Sequence, residues 1–109
     1  MFDDCISGAE QFSLDSLYNL IKDRKKNREP GSYTTYLFDK GIDKILKKIG
    51  EELAAVIIAG KEGEKDETVY EIADLTYHLL VLMAQLGITP EDIKNELGTR
   101  SALSGKDRF

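Results

Sequence analysis

The stretch DETVYEIADLTYHLLVLMAQL, residues 66–86, reads as one long helix that stops at Gly87. From Leu75 onward it is apolar around most of its circumference: Leu75, Leu79, Leu80, Val81, Leu82, Met83 and Leu86. A helix of that kind is buried on several sides at once. Yet Glu67, Glu71, Asp74 and His78 follow one another at i, i+4, i+7 and i+11, so they stack along a single strip. Isolated buried carboxylates are costly, and carboxylates this close raise one another's pKa values. A divalent cation removes both costs, because carboxylate oxygens are ligands that hard cations take.

On the N-terminal side, residues 42–59 form the partner helix. Ile42, Ile45, Leu46, Ile49, Leu53, Val56 and Ile57 recur at helical spacing. With Ile42 at zero on a wheel of about 100° per residue, that stripe centres near zero. Glu52 falls on its flank at about 280°, Glu51 near 180°, and Lys44 and Lys48 between them near 200° and 240°. One flank therefore carries two lysines and two glutamates beside the core. Residues 60–63, Gly-Lys-Glu-Gly, read as the turn between the two long helices.

Shorter helices flank this hairpin. One starts after Ser13, a good N-cap, and carries Leu14, Leu17, Tyr18 and Ile21. It ends in the basic run Lys22-Asp23-Arg24-Lys25-Lys26, which reads as a solvated helix end favoured by the helix dipole. Glu29-Pro30-Gly31 breaks it, and Ser32 caps a short turn that Gly41 stops. Thr89-Pro90-Glu91-Asp92 opens a last helix, expected to end near Arg100. The reading is all-α: a hairpin of two long helices with shorter flanking helices. It divides into a ragged segment at 1–12, a domain at 13–100 and a polar tail at 101–109.

Composition narrows the function. With 109 residues the chain makes one compact domain, and an all-round apolar helix in so small a domain points to a second copy and a dimeric bundle. The net charge of −5 disfavours nucleic acid as a partner, while a metal–polyphosphate substrate is compatible with it. Cys5 is the only cysteine, which excludes an intrachain disulfide and suits a cytoplasmic setting. The opening MFDDCISGAE has neither a basic start nor an apolar run, so no secretory signal is expected. No apolar run of about 18 residues predicts a membrane span.

Each motif also has a plain structural reading. Adjacent acids such as Glu51-Glu52 usually mark a solvated face. A lone histidine such as His78 is more often a satisfied interior group than a ligand, and Tyr77-His78 together could sit at a subunit boundary. Lys44 and Lys48 could simply balance Glu51 and Glu52 along the helix.

Three blocks carry a family likeness: Gly31-Ser32-Tyr33-Thr34; KILKKIGEE at 44–52; and EIADLTYHLLVL at 71–82, about twenty residues further on. Together they resemble the phosphoribosyl-ATP pyrophosphatases, part of the all-α nucleotide pyrophosphatase group that includes the MazG proteins. The likeness runs from about residue 14 to 100. The family pattern is Glu-Glu-x-x-Glu on one helix and Glu-x-x-Asp on the next. Glu51, Glu52, Glu71 and Asp74 match it. Position 55 is Ala55, near 220° on the wheel, where the pattern has a glutamate. Either the metal is held by fewer protein ligands and more water, or this copy is impaired.

The resemblance implies hydrolysis of phosphoribosyl-ATP to phosphoribosyl-AMP and pyrophosphate, a step of histidine biosynthesis. It implies Mg2+ on Glu52, Glu71 and Asp74, with Glu51 orienting or deprotonating the attacking water. Lys44 and Lys48 are suited to phosphate oxygens, and Tyr77, His78 and Arg100 are candidate substrate contacts, with Lys106 a further closing group. The chain lacks room for the cyclohydrolase to which this domain is fused in many organisms, so it reads as monofunctional. Two other readings stand beside this one: a housecleaning nucleoside triphosphate pyrophosphatase, and a helical dimer that serves only as an interaction module.

Overall fold

A computed structural model describes residues 12–102. Five helices follow one another: α1 (Leu14–Lys26), α2 (Tyr33–Lys40), α3 (Ile42–Glu62), α4 (Lys65–Leu86) and α5 (Pro90–Ala102). Among the described residues there is no strand. The expectations for residues 1–11, including Cys5, and for the tail from 103, including Lys106, lie outside the described residues.

Local chemistry sets the ends. Ser13 and Ser16 cap α1 reciprocally, each hydroxyl accepting the other's backbone N–H. The Ser32 hydroxyl accepts from the Thr35 N–H and opens α2. Thr89 and Asp92 form the same reciprocal cap before α5. The turn between α3 and α4 is shorter than the composition implied. Gly60 stays helical, and α3 ends only at Gly63, whose φ of 77° is left-handed and open to glycine at little cost. The last helix runs two residues past Arg100.

The hairpin of α3 and α4 is the most extensive pairing among the described residues, and α1 and α2 lie across it. The core gathers Leu17, Tyr18 and Ile21 from α1, Leu37 and Phe38 from α2, Ile45 from α3, and Tyr77, Leu80, Val81 and Ala84 from α4. The wheel for α3 resolves into two faces rather than one. Ile45, Ile49 and Val56 turn inward to differing degrees, whereas Leu46, Leu53 and Ile57 are exposed. The inward direction is therefore rotated toward Glu52, which is why that carboxylate is half-buried.

The basic end of α1 is not simply solvated. Arg24 is buried, its guanidinium paired with Asp23 at 2.9 Å and Glu29 at 3.1 Å. Lys25 reaches the carbonyls of Ala84 and Gln85, both at 3.3 Å, and so covers open acceptors at the end of α4. Tyr18 donates to the Ile88 carbonyl at 2.7 Å. Among the described residues, no single helix is long and apolar enough to cross a membrane.

Candidate functional site

The rotation of α3 brings Glu52 against α4 where that helix carries its acidic strip. Carboxylate oxygens of Glu52, Glu71 and Asp74 all lie within 4.8 Å of one another. All three residues are half-buried. These are the cation ligands expected from the sequence, contributed by two helices that the tight Gly63 turn holds side by side. The donor set is all oxygen, with the spacing and charge that a hard divalent cation accepts.

The other expected groups divide. Lys48 lies at the rim, 3.4 Å from Glu51 and 3.9 Å from Glu52, and Lys44 is half-buried one turn before it. Glu51 points outward, its side chain 51% exposed against 14% for Glu52. Tyr77 and His78 are interior groups. Tyr77 is 1% exposed and its hydroxyl shares a buried hydrogen bond with Thr34. His78 is 0% exposed, with both ring nitrogens engaged. Arg100 stands on α5, which packs on α1, and bonds Glu96 of its own helix at 2.9 Å. It is not among the groups gathered around the carboxylates.

The electrostatics follow from the crowding. The Glu71 carboxyl is pushed above its ordinary pKa, first by burial, then by its hydrogen bond with Glu67 and by the charges of Glu67, Glu52 and Asp74. Lys48 is held above its ordinary value although burial, the largest single influence, opposes this; Tyr33, Glu51 and Glu52 together outweigh it. A cleft of about 600 Å3 opens toward the hairpin turn, lined by Ala55, Glu62, Glu67 and Glu71 among others. Ala55 therefore faces the same space as one of the clustered carboxylates.

The sequence reading did not place Tyr33 beside the carboxylates. Its hydroxyl bonds His78 at 3.0 Å and lies within electrostatic reach of Lys48, Glu52 and Asp74. The available signal was the Ser32 cap, which places Tyr33 at the first position of α2, but no periodicity says what α2 packs on.

The sequence profile of the phosphoribosyl-ATP pyrophosphohydrolase family matches residues 14–101. This chain belongs to that family. Among its relatives, the phosphoribosyl-ATP pyrophosphatase of Limosilactobacillus fermentum is 55% identical over 97 residues, covering 87% of this chain and 92% of that protein. The enzyme of the same name from Clostridium novyi is 50% identical over 95 residues, covering 87% of this chain and 86% of that protein. A histidine biosynthesis bifunctional protein of Caldanaerobacter subterraneus is 60% identical over 87 residues. That match takes in 80% of this chain but only 42% of the bifunctional protein. The pyrophosphohydrolase match spans all five helices up to Ser101, so the clustered carboxylates, Lys48 and Tyr33 all fall inside it.

Proposed function

We propose that this chain hydrolyses phosphoribosyl-ATP at its α–β phosphate bond, as a Mg2+-dependent step of histidine biosynthesis. Water adds across the anhydride, and the products are phosphoribosyl-AMP and pyrophosphate. The observation that carries this reading is the convergence of Glu52, Glu71 and Asp74 within 4.8 Å, inside the region shared with the family.

Those three residues would hold Mg2+. Bound there, the ion supplies charge neutralisation and Lewis-acid polarisation at phosphate oxygens. The chain's own groups do the rest. Glu51, exposed at the rim, orients the water and takes its proton. Lys48 and Lys44 face phosphate oxygens as point charges. Tyr77 and His78 act from the interior, by fixing the α4 turn that carries Asp74. The cytoplasm is the compartment that goes with this reading.

A homodimer belongs to the same proposal. Leu46, Leu53 and Ile57 on α3 and Val69, Ile72, Leu79 and Leu86 on α4 are 39–62% exposed. Apolar exposure on that scale along both long helices supports the reading of an interaction face. A second copy laid on it completes the helical bundle. Sedimentation is expected to give a dimer at micromolar concentration; a monomer would overturn the assembly.

The deciding experiment measures pyrophosphate release from phosphoribosyl-ATP and from ordinary nucleoside triphosphates, by this protein and by Ala55→Glu. Preference for phosphoribosyl-ATP supports the proposal, and preference for ordinary triphosphates replaces it with the housecleaning reading. Ala55 and Glu71 line one cleft, so a large rise on Ala55→Glu identifies position 55 as a missing carboxylate. Release by neither protein, with no Mg2+ or Mn2+ binding at millimolar metal, leaves the interaction module.

A further inference from the structure

The basic run at the end of α1 takes no part in the carboxylate site. Lys22, Lys25 and Lys26 stand at i, i+3 and i+4, so they share one side of that helix. They line a cavity of about 390 Å3 that is closed by Tyr18 and by the segment joining α4 to α5, at Gly87 and Thr89. Its size is that of small-molecule sites. It is also remote from the carboxylates. Ala84, which lines it too, lies roughly 15 Å along α4 from Asp74 at about 1.5 Å per residue. The surrounding groups are fixed. The Tyr18 hydroxyl donates to the Ile88 carbonyl at 2.7 Å, and the carbonyls of Ala84 and Gln85 hold Lys25.

Three ammonium groups around one cavity repel one another, and none of them forms an ion pair with a carboxylate of the described residues. The neighbouring acids are engaged elsewhere. Asp23 pairs with Arg24 and accepts from Asn27, and Asp92 accepts from the Thr89 N–H. A cleft lined by one sign of charge concentrates its field and draws in the opposite ion, here in a chain whose net charge is −5. We propose that this corner of α1, α4 and α5 is a second ligand site, which binds adjacent phosphoryl groups: inorganic pyrophosphate, or the phosphate tail of a nucleoside diphosphate. Lys22 and Lys26, one helical turn apart, serve two neighbouring phosphoryl groups as point charges. Lys25 spends two of its three donors on carbonyls and keeps one for the ligand. The site does not depend on the pyrophosphatase reading.

The test uses the full chain without metal, where Glu52, Glu71 and Asp74 repel anions and the carboxylate site does not compete. Titration calorimetry with pyrophosphate and with ADP, at physiological salt, should show saturable binding of one ligand per chain at millimolar concentration or below. Orthophosphate, which offers a single phosphoryl group, should bind more weakly. Lys22 and Lys26 are exposed, so Lys22→Met/Lys26→Met should leave the melting temperature in place. It should weaken both ligands by about tenfold or more, as charge-assisted hydrogen bonds are lost. Lys61→Met/Lys65→Met removes the same charge from exposed positions at the hairpin turn and should change affinity by less than about twofold. Amide resonances of Gly87 and Thr89 should move on titration. Equal affinity for the two ligands assigns the site to the phosphates alone, and tighter ADP assigns it to a nucleotide; either supports it. Failure to saturate, equal weakening by the two lysine pairs, or shifts centred on Glu52 and Asp74 would each overturn it. None of these readouts requires turnover, so a failure of the pyrophosphatase reading leaves them intact.

Discussion

The two halves of α4 obey different physics. From Tyr77 to Ala84 the helix is sealed along its inner side by its own chain: Tyr77, His78, Leu80, Val81 and Ala84 are all buried, while Leu79 on the outer side is exposed. From Lys65 to Leu75 no residue is buried, and the half-buried positions include Glu71 and Asp74. One regular backbone thus carries a half with five buried side chains and a half with none. The join between them is chemical as well as geometric. His78, on the sealed half, bonds the carbonyl of Asp74 on the open half.

Substitutions should separate the halves. The largest expected effect is on turnover in the open half. Asp74→Asn and Glu71→Gln should each cut pyrophosphate release on the order of a hundredfold to a thousandfold, by analogy with removing one group that stabilises developing charge. Their metal-free melting temperatures should not fall. A large loss of stability in both would show the open half to be structural, and would break the contrast. In the sealed half, Leu80→Ala should cost about 3 kcal/mol, the usual price of a cavity at a closed site. Urea denaturation measures it. A cost under about 1 kcal/mol would mean that the pocket is plastic.

A smaller effect should follow pH. The Glu71 carboxyl has its pKa raised in the folded chain, so the fold binds that proton more tightly than the unfolded chain does. The sign is then set. Ionising Glu71 costs the fold nothing below the unfolded pKa, and the cost grows as pH rises through the interval up to the raised folded value. Metal-free protein should therefore melt higher in mild acid than at neutral pH relative to Glu71→Gln, which lacks the titrating group. Stabilisation by added Mg2+ should show the opposite trend and weaken in acid. Scanning calorimetry across this range, with and without metal, checks both signs. The smallest effect is expected at the far end of the sealed half. Lys25→Met removes the ammonium from the Ala84 and Gln85 carbonyls and should cost about 1 kcal/mol with turnover unchanged.

Much of this contrast was legible in the sequence because it is local or periodic. The apolar residues of α4 repeat at helical spacing, and the acids interrupt them on one strip. Ser13, Ser32 and Thr89 announce helix starts, and each makes the cap that its side chain allows. The carboxylate cluster was legible for the same reason: two helices joined by a short turn must lie side by side, and the wheel puts Glu52 on the flank facing its neighbour. Features that depend on where one helix rests on another were not legible. Nothing periodic says that Arg24 turns inward while Lys22 stays exposed, since both sit in one basic run.

By itself, the sequence determined the helices, their caps, the all-α class and the residue types available for a cation. Those follow from backbone hydrogen bonding and side-chain periodicity, which act over a few residues. Only the tertiary structure decided the rest. It split the apolar stripe of α3 between an inner and an outer face, took Tyr77 and His78 into the interior, left Arg100 on an outlying helix, and brought Tyr33 to His78. The physical reason is that rotation and docking of a helix are set by packing against distant residues. A hydrogen bond between positions 33 and 78 leaves no mark in the local pattern of either.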